Sequence, residues 1–235
     1  MLLSVDNLHA HYGKSHVLHG VKFALPEPAI VALLGRNGSG RSTTLKAMMG
    51  WVEPTAGSVR LNGRELAGIR THAIARLGLG YVPEERLVFP NLSVEENLDM
   101  GVLPGVEGAP RWSKDDMYQY FPRLRERRNQ KAGHMSGGEQ QMLTICRSLL
   151  GNPLVLLVDE PTEGLAPKIV DVVTDVIRDI QHRGVGVLLV EQKMSMALKV
   201  AQQVMVMGHG EIVFQGSAEA MRANDDIRQR WLEVA

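Results

Sequence analysis

The chain is poor in cysteine, carries no surplus of either charge and holds no long apolar run. Among 235 residues there is one cysteine, Cys146, which excludes an internal disulfide framework and fits a reducing compartment. Lys and Arg number 26, Asp and Glu also 26, so the formal net charge is zero. Proteins that coat nucleic acid need a positive surplus to replace the counterions of the phosphates. No such surplus exists, and no polybasic arm for anionic lipid. The longest aliphatic runs, 154–158 and 185–190, have strand length. They fall far short of the roughly 18 apolar residues of a membrane span. The opening segment 1–7 has no basic stretch and meets Asp6 too early for a signal peptide. The expectation is a soluble, cytosolic chain that reaches a membrane only through another protein. Neither an internal repeat nor a low-complexity tract occurs. With 44% hydrophobic and 22% charged residues, the composition is that of a globular core. The length suits one domain with room for an inserted subdomain.

The aliphatic runs define the organisation. Ile30 to Leu34 ends at Gly35, Leu154 to Val158 ends at Asp159, and Val185 to Val190 ends at Glu191. Each is continuously apolar and short, as buried strands of a parallel sheet are. The amphipathic stretch 169–180 lies between the last two, giving a βαβ pattern and an α/β fold. Two hairpin signals differ in style. One is Ser58 to Leu61 followed by Asn62-Gly63. The other is Val204 to Met207 and Glu211 to Gln215 around Gly208-His209-Gly210. They predict an antiparallel sheet attached to the parallel core. From Pro83 to Leu150 no strong strand run appears. Ser93 and Glu96 have capping-box spacing and predict a helix to Met100; 101–110 is a Gly- and Pro-rich loop; 114–128 is helical with a break at Pro122. This section reads as a helical insertion.

The first buried run leads into Gly35-Arg36-Asn37-Gly38-Ser39-Gly40-Arg41-Ser42-Thr43. Glycine, four residues, glycine, a cation and a hydroxyl form the frame of a phosphate-binding loop. Its glycines let the backbone N–H groups curl toward phosphate oxygens, and the helix that follows offers its positive end. Ser42 supplies a hydroxyl ligand for Mg²⁺. The cation departs from the frame: Arg41 stands where Lys is usual. A planar guanidinium does not replace a compact ammonium between the β- and γ-phosphates. A site that binds nucleotide but turns it over slowly is the alternative reading of this departure.

Val155 to Val158 delivers Asp159 and Glu160 at the strand end where α/β sheets bind ligands. Asp159 is placed for Mg²⁺, and Glu160 to orient and deprotonate the attacking water. Ser136-Gly137-Gly138-Glu139 opens another helix with capping-box spacing, and its glycines admit a phosphate to the N–H groups. Spacing alone fits an ordinary capped helix equally well.

Together these residues resemble the nucleotide-binding subunits of ABC transporters, along essentially the whole chain. Met135-Ser136-Gly137-Gly138-Glu139 stands where that family has Leu-Ser-Gly-Gly-Gln, and the order of phosphate loop, signature and acidic strand is highly specific. The resemblance implies a P-loop NTPase (RecA-like) α/β core with an antiparallel β subdomain, from about 1–84 and 151–235. It implies an inserted α-helical signature subdomain over about 85–150. Two such domains pack head to tail around two ATP molecules, each held by one phosphate loop and the other chain's signature. Tyr12 matches the aromatic that stacks on adenine. Glu84 occupies the place of the Q-loop Gln, beside the metal and the reacting water. Gln192 occupies the place of the switch His. ATP and Mg²⁺ are the implied cofactors.

The segments 120–128, 135–141, 164–167 and 190–192 look like the shorter ATPase of branched-chain amino-acid importers, of which urea and amide importers use close relatives. The implied partners are a longer ATPase paralogue, two transmembrane permeases and, indirectly, a periplasmic binding protein, at the cytoplasmic face of a bacterial inner membrane. ATP-driven lipid export and a soluble, non-transport ABC ATPase are the alternatives. Glu84, Ala166 and Gln192 depart from the wider family but look normal for this branch; Arg41 is less usual even there. The basic run Arg123, Arg125, Arg127, Arg128 and Lys131 reads as a solvated helix face rather than a nucleic-acid site. His9, His11, His16 and His19 match no usual zinc spacing.

Overall fold

A computed structural model describes residues 1–232. Its first stretch contains β1 (Leu3–Tyr12), β2 (Ser15–Leu25), β3 (Ile30–Gly35), α1 (Arg41–Met48), β4 (Pro54–Leu61), β5 (Arg64–Glu65) and α2 (Thr71–Arg76). Then come β6 (Leu79–Val82), α3 (Val94–Asp99), α4 (Lys114–Tyr120), α5 (Pro122–Glu126), α6 (Gly137–Leu149), β7 (Val155–Asp159) and α7 (Pro167–His182). The last elements are β8 (Gly186–Val190), α8 (Met194–Val200), β9 (Gln203–Gly208), β10 (Glu211–Ser217), α9 (Ala218–Arg222) and α10 (Asp225–Trp231). The chain forms two compact units, one of Met1–Ile74 with the residues from Gly186 onward, the other Ala75–Val185.

The first unit carries two sheets. β1 pairs antiparallel with β2 and with β4, and β4 turns back into β5. The turn at Asn62-Gly63 has φ of 48° and 78°, the left-handed pair that matches the twist of a hairpin. β3, buried along its whole length, pairs in parallel with β8 and with β9. Its apolar run is continuous because a neighbouring strand lies on each edge and neither face meets water. The second hairpin therefore differs from the expectation. β9 and β10 do pair antiparallel, yet β9 belongs to the parallel core and not to the β1–β4 sheet. Val204 to Met207 are all buried, so this strand has the burial of a core strand and only its partner β10 is part-exposed.

The second unit is mainly helical, with the parallel pair β6–β7 in it. Ser93, Ser113 and Ser136 each close a capping box at the start of α3, α4 and α6. In each box the hydroxyl takes an N–H of the first turn, and a carboxylate three residues on takes the cap's own N–H. Pro122 separates α4 from α5, since proline has no N–H to continue the ladder. α7 buries Val173, Val176, Ile177 and Ile180, one stripe at helical spacing. β6 was not expected. Leu79 to Val82 is too short and too glycine-rich to stand out, and it is a strand because β7 pairs with it.

Candidate nucleotide site

The phosphate loop runs from the end of β3 to the start of α1, inside the first unit. Gly35 is required by close approach: a Cβ there would lie 2.6 Å from the Met207 carbonyl and 2.6 Å from Ser39 Oγ. Gly38 and Gly40 have φ of 79° and 108°, a conformation that glycine enters without strain. The Ser39 N–H donates to the Arg36 carbonyl at 3.1 Å, tightening the turn. The Gly210 N–H donates to the Ser39 carbonyl at 2.9 Å and ties the loop to the β9–β10 turn. Thr44 Oγ1 donates to the Gly40 carbonyl at 3.0 Å within the first turn of α1. Arg41 is buried, and its Nη2 donates to Asn37 Oδ1 at 3.2 Å. One arm of the guanidinium is thus engaged within the loop that is to hold phosphate. Ser42 and Thr43 are half-buried at the start of α1. Tyr12, at the end of β1, is half-exposed, and Gln192 lies exposed just after β8.

The second unit gathers carboxylates at the end of β7. Asp159 is 1% exposed and accepts a hydrogen bond from Tyr81 Oη at 3.2 Å. Burial, then the neighbouring Asp159 charge, pushes the Tyr81 phenol far above its ordinary range, so it stays a donor. Glu160 has φ of 43°, in the left-handed region that costs a side-chain-bearing residue about 1–3 kcal/mol. This bend turns the chain out of the strand directly after the buried Asp159. The Glu84 carboxyl is held above its usual range by loss of hydration, then by a hydrogen bond with Glu163, and then by the charges of Glu163, Asp159 and Glu160.

The signature segment opens α6 in the same unit. Ser136 Oγ accepts from the Glu139 N–H at 3.4 Å, and the Glu139 carboxylate accepts from the Ser136 N–H at 2.9 Å. Burial raises the Glu139 carboxyl, but bonds from Ser136 and the charges of Arg127 and Arg123 outweigh it and hold the group low. Arg127 Nε lies 3.3 Å from Glu139, so one member of the basic run serves the signature helix. Arg123 and Arg125 face solvent, as a solvated helix face requires. Arg86 caps the other side. Its Nη1 lies 2.4 Å from where a Cβ on Gly137 would stand, so an alanine there would collide with it. Its Nη2 donates to the Glu163 carbonyl at 2.8 Å.

Tyr81, Arg86 and Glu163 were not legible in the sequence. Tyr81 reaches Asp159 because β6 pairs in register with β7, Tyr81 opposite Leu157. Arg86 and Glu163 meet across a separation of 77 residues. Of the residues expected at the site, Tyr12, Gly35, Asn37 to Thr43 and Gln192 lie in the first unit, and Glu84, Ser136 to Glu139, Asp159 and Glu160 in the second.

An apolar parallel core strand that runs into a glycine-framed loop and a helix defines a P-loop nucleotide-binding protein. The chain belongs to the ABC transporter family, whose model matches residues 18–163. It is 42% identical to the high-affinity branched-chain amino acid transport ATP-binding protein BraG of Pseudomonas aeruginosa, over 98% of this chain and 99% of that one. It is 31% identical to the lipopolysaccharide export system ATP-binding protein LptB of Acidithiobacillus ferridurans, over 98% of this chain and 96% of that one. Its fold is that of a nucleotide-free ATP-binding cassette from an ABC transporter, with a TM-score of 0.83 at 21% identity over 96% of each chain.

Proposed function

We propose that the chain is the ATP-hydrolysing subunit of an importer for branched-chain or other small amino acids. The observation that carries this is end-to-end similarity to a branched-chain amino-acid ATPase, joined to an intact order of phosphate loop, signature and acidic strand. The weaker similarity to a lipopolysaccharide exporter ranks export second. The phosphate-loop N–H groups, Arg41 and Thr43 hold the phosphates, Tyr12 stacks on adenine, and the 136–139 segment serves the ATP of a second ATPase chain packed head to tail. Residues 85–150 form the subdomain that carries this signature and faces the membrane subunits.

Ser42, Asp159 and Glu84 are the residues that would hold Mg²⁺. Ser42 and Asp159 offer hard oxygens, with Glu84 beside Asp159, and Mg²⁺ takes one or two protein carboxylates and fills its shell with phosphate and water. When bound, it neutralises the charge that develops on the transferred phosphoryl group. Glu160 orients the attacking water and accepts its proton, and Gln192 positions the γ-phosphate. Tyr81 holds Asp159 in place. Permeases and a periplasmic binding protein choose the cargo, and the chain sits peripherally on the cytoplasmic side.

The test is reconstitution with two permeases and a longer ATPase of a branched-chain amino-acid importer. ATP-dependent uptake of leucine or valine is expected, and Glu160→Gln should trap ATP and lower uptake about a hundredfold or more. Uptake of none of the small amino acids refutes this assignment, and uptake untouched by Glu160→Gln would mean that the partner's site does the chemistry.

A further inference from the structure

The last described helix, α10, lies against the turn that supports the phosphate loop. Trp231 packs flat onto Gly208: a Cβ on Gly208 would stand 2.3 Å from Cε3 and Cζ3 of the indole, so only glycine admits the ring. His209 meets the same indole edge-on, with ring centroids 5.3 Å apart. The next residue, Gly210, donates its N–H to the Ser39 carbonyl at 2.9 Å. A continuous set of contacts therefore runs from the indole through the 208–210 turn to the middle of the phosphate loop. Beside it is a cavity of about 170 Å³, walled by residues 36–39, the 207–209 segment, and Arg230 with Trp231. Arg36 and Arg230 both line it, with no carboxylate side chain among the described residues that do. Ser39, 8% exposed, has its hydroxyl buried without a hydrogen-bond partner among the described residues.

We propose that α10 is a working part of the nucleotide site, with Trp231 a positioning residue that holds the phosphate loop through the 208–210 turn and Arg230 adding positive charge beside it. This rests on the nucleotide-binding reading above. The physical reason is preorganisation. A loop that must aim several N–H groups at one anion binds it more weakly when the loop is free to rearrange. The indole removes that freedom from the turn to which Ser39 is bonded. Arg230 contributes through its field, so its effect is screened by salt, whereas that of Trp231 is not.

Equilibrium binding of MgATP to the full chain tests this. Trp231→Ala should raise Kd about tenfold. Trp231→Phe, which keeps a ring on Gly208, should restore most of the affinity. Gly208→Ala, which displaces the ring without substituting any residue of α10, should mimic Trp231→Ala and decides the matter if that variant does not fold. Arg230→Ala should weaken binding at low salt and lose its effect at high salt. In a Trp51→Phe/Trp112→Phe chain, the emission of Trp231 should shift when MgATP is added. Wild-type chain that binds no MgATP overturns the nucleotide reading itself. Wild-type binding with Trp231→Ala and Gly208→Ala equal to it or tighter overturns the role of α10 alone, as does a silent Trp231.

Discussion

At the scale of the residue, Arg41 is the departure with the most chemical consequence. Its burial and its bond to Asn37 hold the guanidinium inside the loop, so charge is present near the phosphates. The fork geometry, however, divides its donors between Asn37 and the ligand, where an ammonium could turn all three toward phosphate. Arg41→Lys is expected to raise kcat of the assembled ATPase about tenfold, or about 1.4 kcal/mol of barrier, with a smaller change in KM. Equal or lower kcat would show that the arginine aligns the γ-phosphate as well as lysine does. Glu84 illustrates a different limit. Read alone it is a carboxylate in place of an amide. Only its bond to Glu163 and its nearness to Asp159 and Glu160 reveal a group biased toward holding a proton.

Elements impose the next level of constraint. β1 and β2 pair so that His9 faces His19 and His11 faces His16. The rings of His11 and His16 stack 4.1 Å apart, and His16 and His19 lie 3.9 Å apart. His9 Nδ1 and His16 Nε2 are 3.1 Å apart, at hydrogen-bond distance; His9 also meets Asn7, and His11 meets Thr55. Loss of hydration, then the charges of His19, His11 and His9, lowers the pKa of His16 below 6.5. The folded chain thus binds protons less readily than the unfolded one. The strand pair is therefore at full stability above the unfolded value and loses stability as pH falls through about 6.5 toward the lower folded value. Thermal unfolding should show Tm dropping between about pH 7.5 and pH 5.5, and His16→Gln should flatten that drop. Parallel Tm profiles for the two proteins would remove His16 as the cause. The capping boxes behaved otherwise: Ser93 and Ser136 were placed from spacing alone, because a cap is made within four residues and needs no distant partner.

For the molecule as a whole, the formal net charge is zero and no helix among the described residues is long and apolar enough to cross a membrane. The phosphate loop stands on one compact unit, while the signature and the carboxylates stand on the other. If each ATP is held between two chains, activity must depend on assembly. Well below the dimer Kd, doubling the concentration of ATPase subunits should raise the total hydrolysis rate about fourfold, since paired chains increase with the square of concentration. A rate strictly proportional to concentration over that range would mean that one chain contains a complete site.

The sequence by itself determined the local chemistry: the phosphate loop, the acidic end of β7, the helix caps and the buried strands. Each depends on residues adjacent in the chain or on a short hydrophobic period, so their physics is written in spacing. Tertiary structure alone decided that β9 joins the parallel core, that Tyr81 donates to Asp159, that Arg86 spans Gly137 and Glu163, and that Trp231 rests on Gly208. These are contacts between residues tens of positions apart. They arise from strand register and from the absence of a Cβ at the point of closest approach, and neither has a signature in a linear pattern.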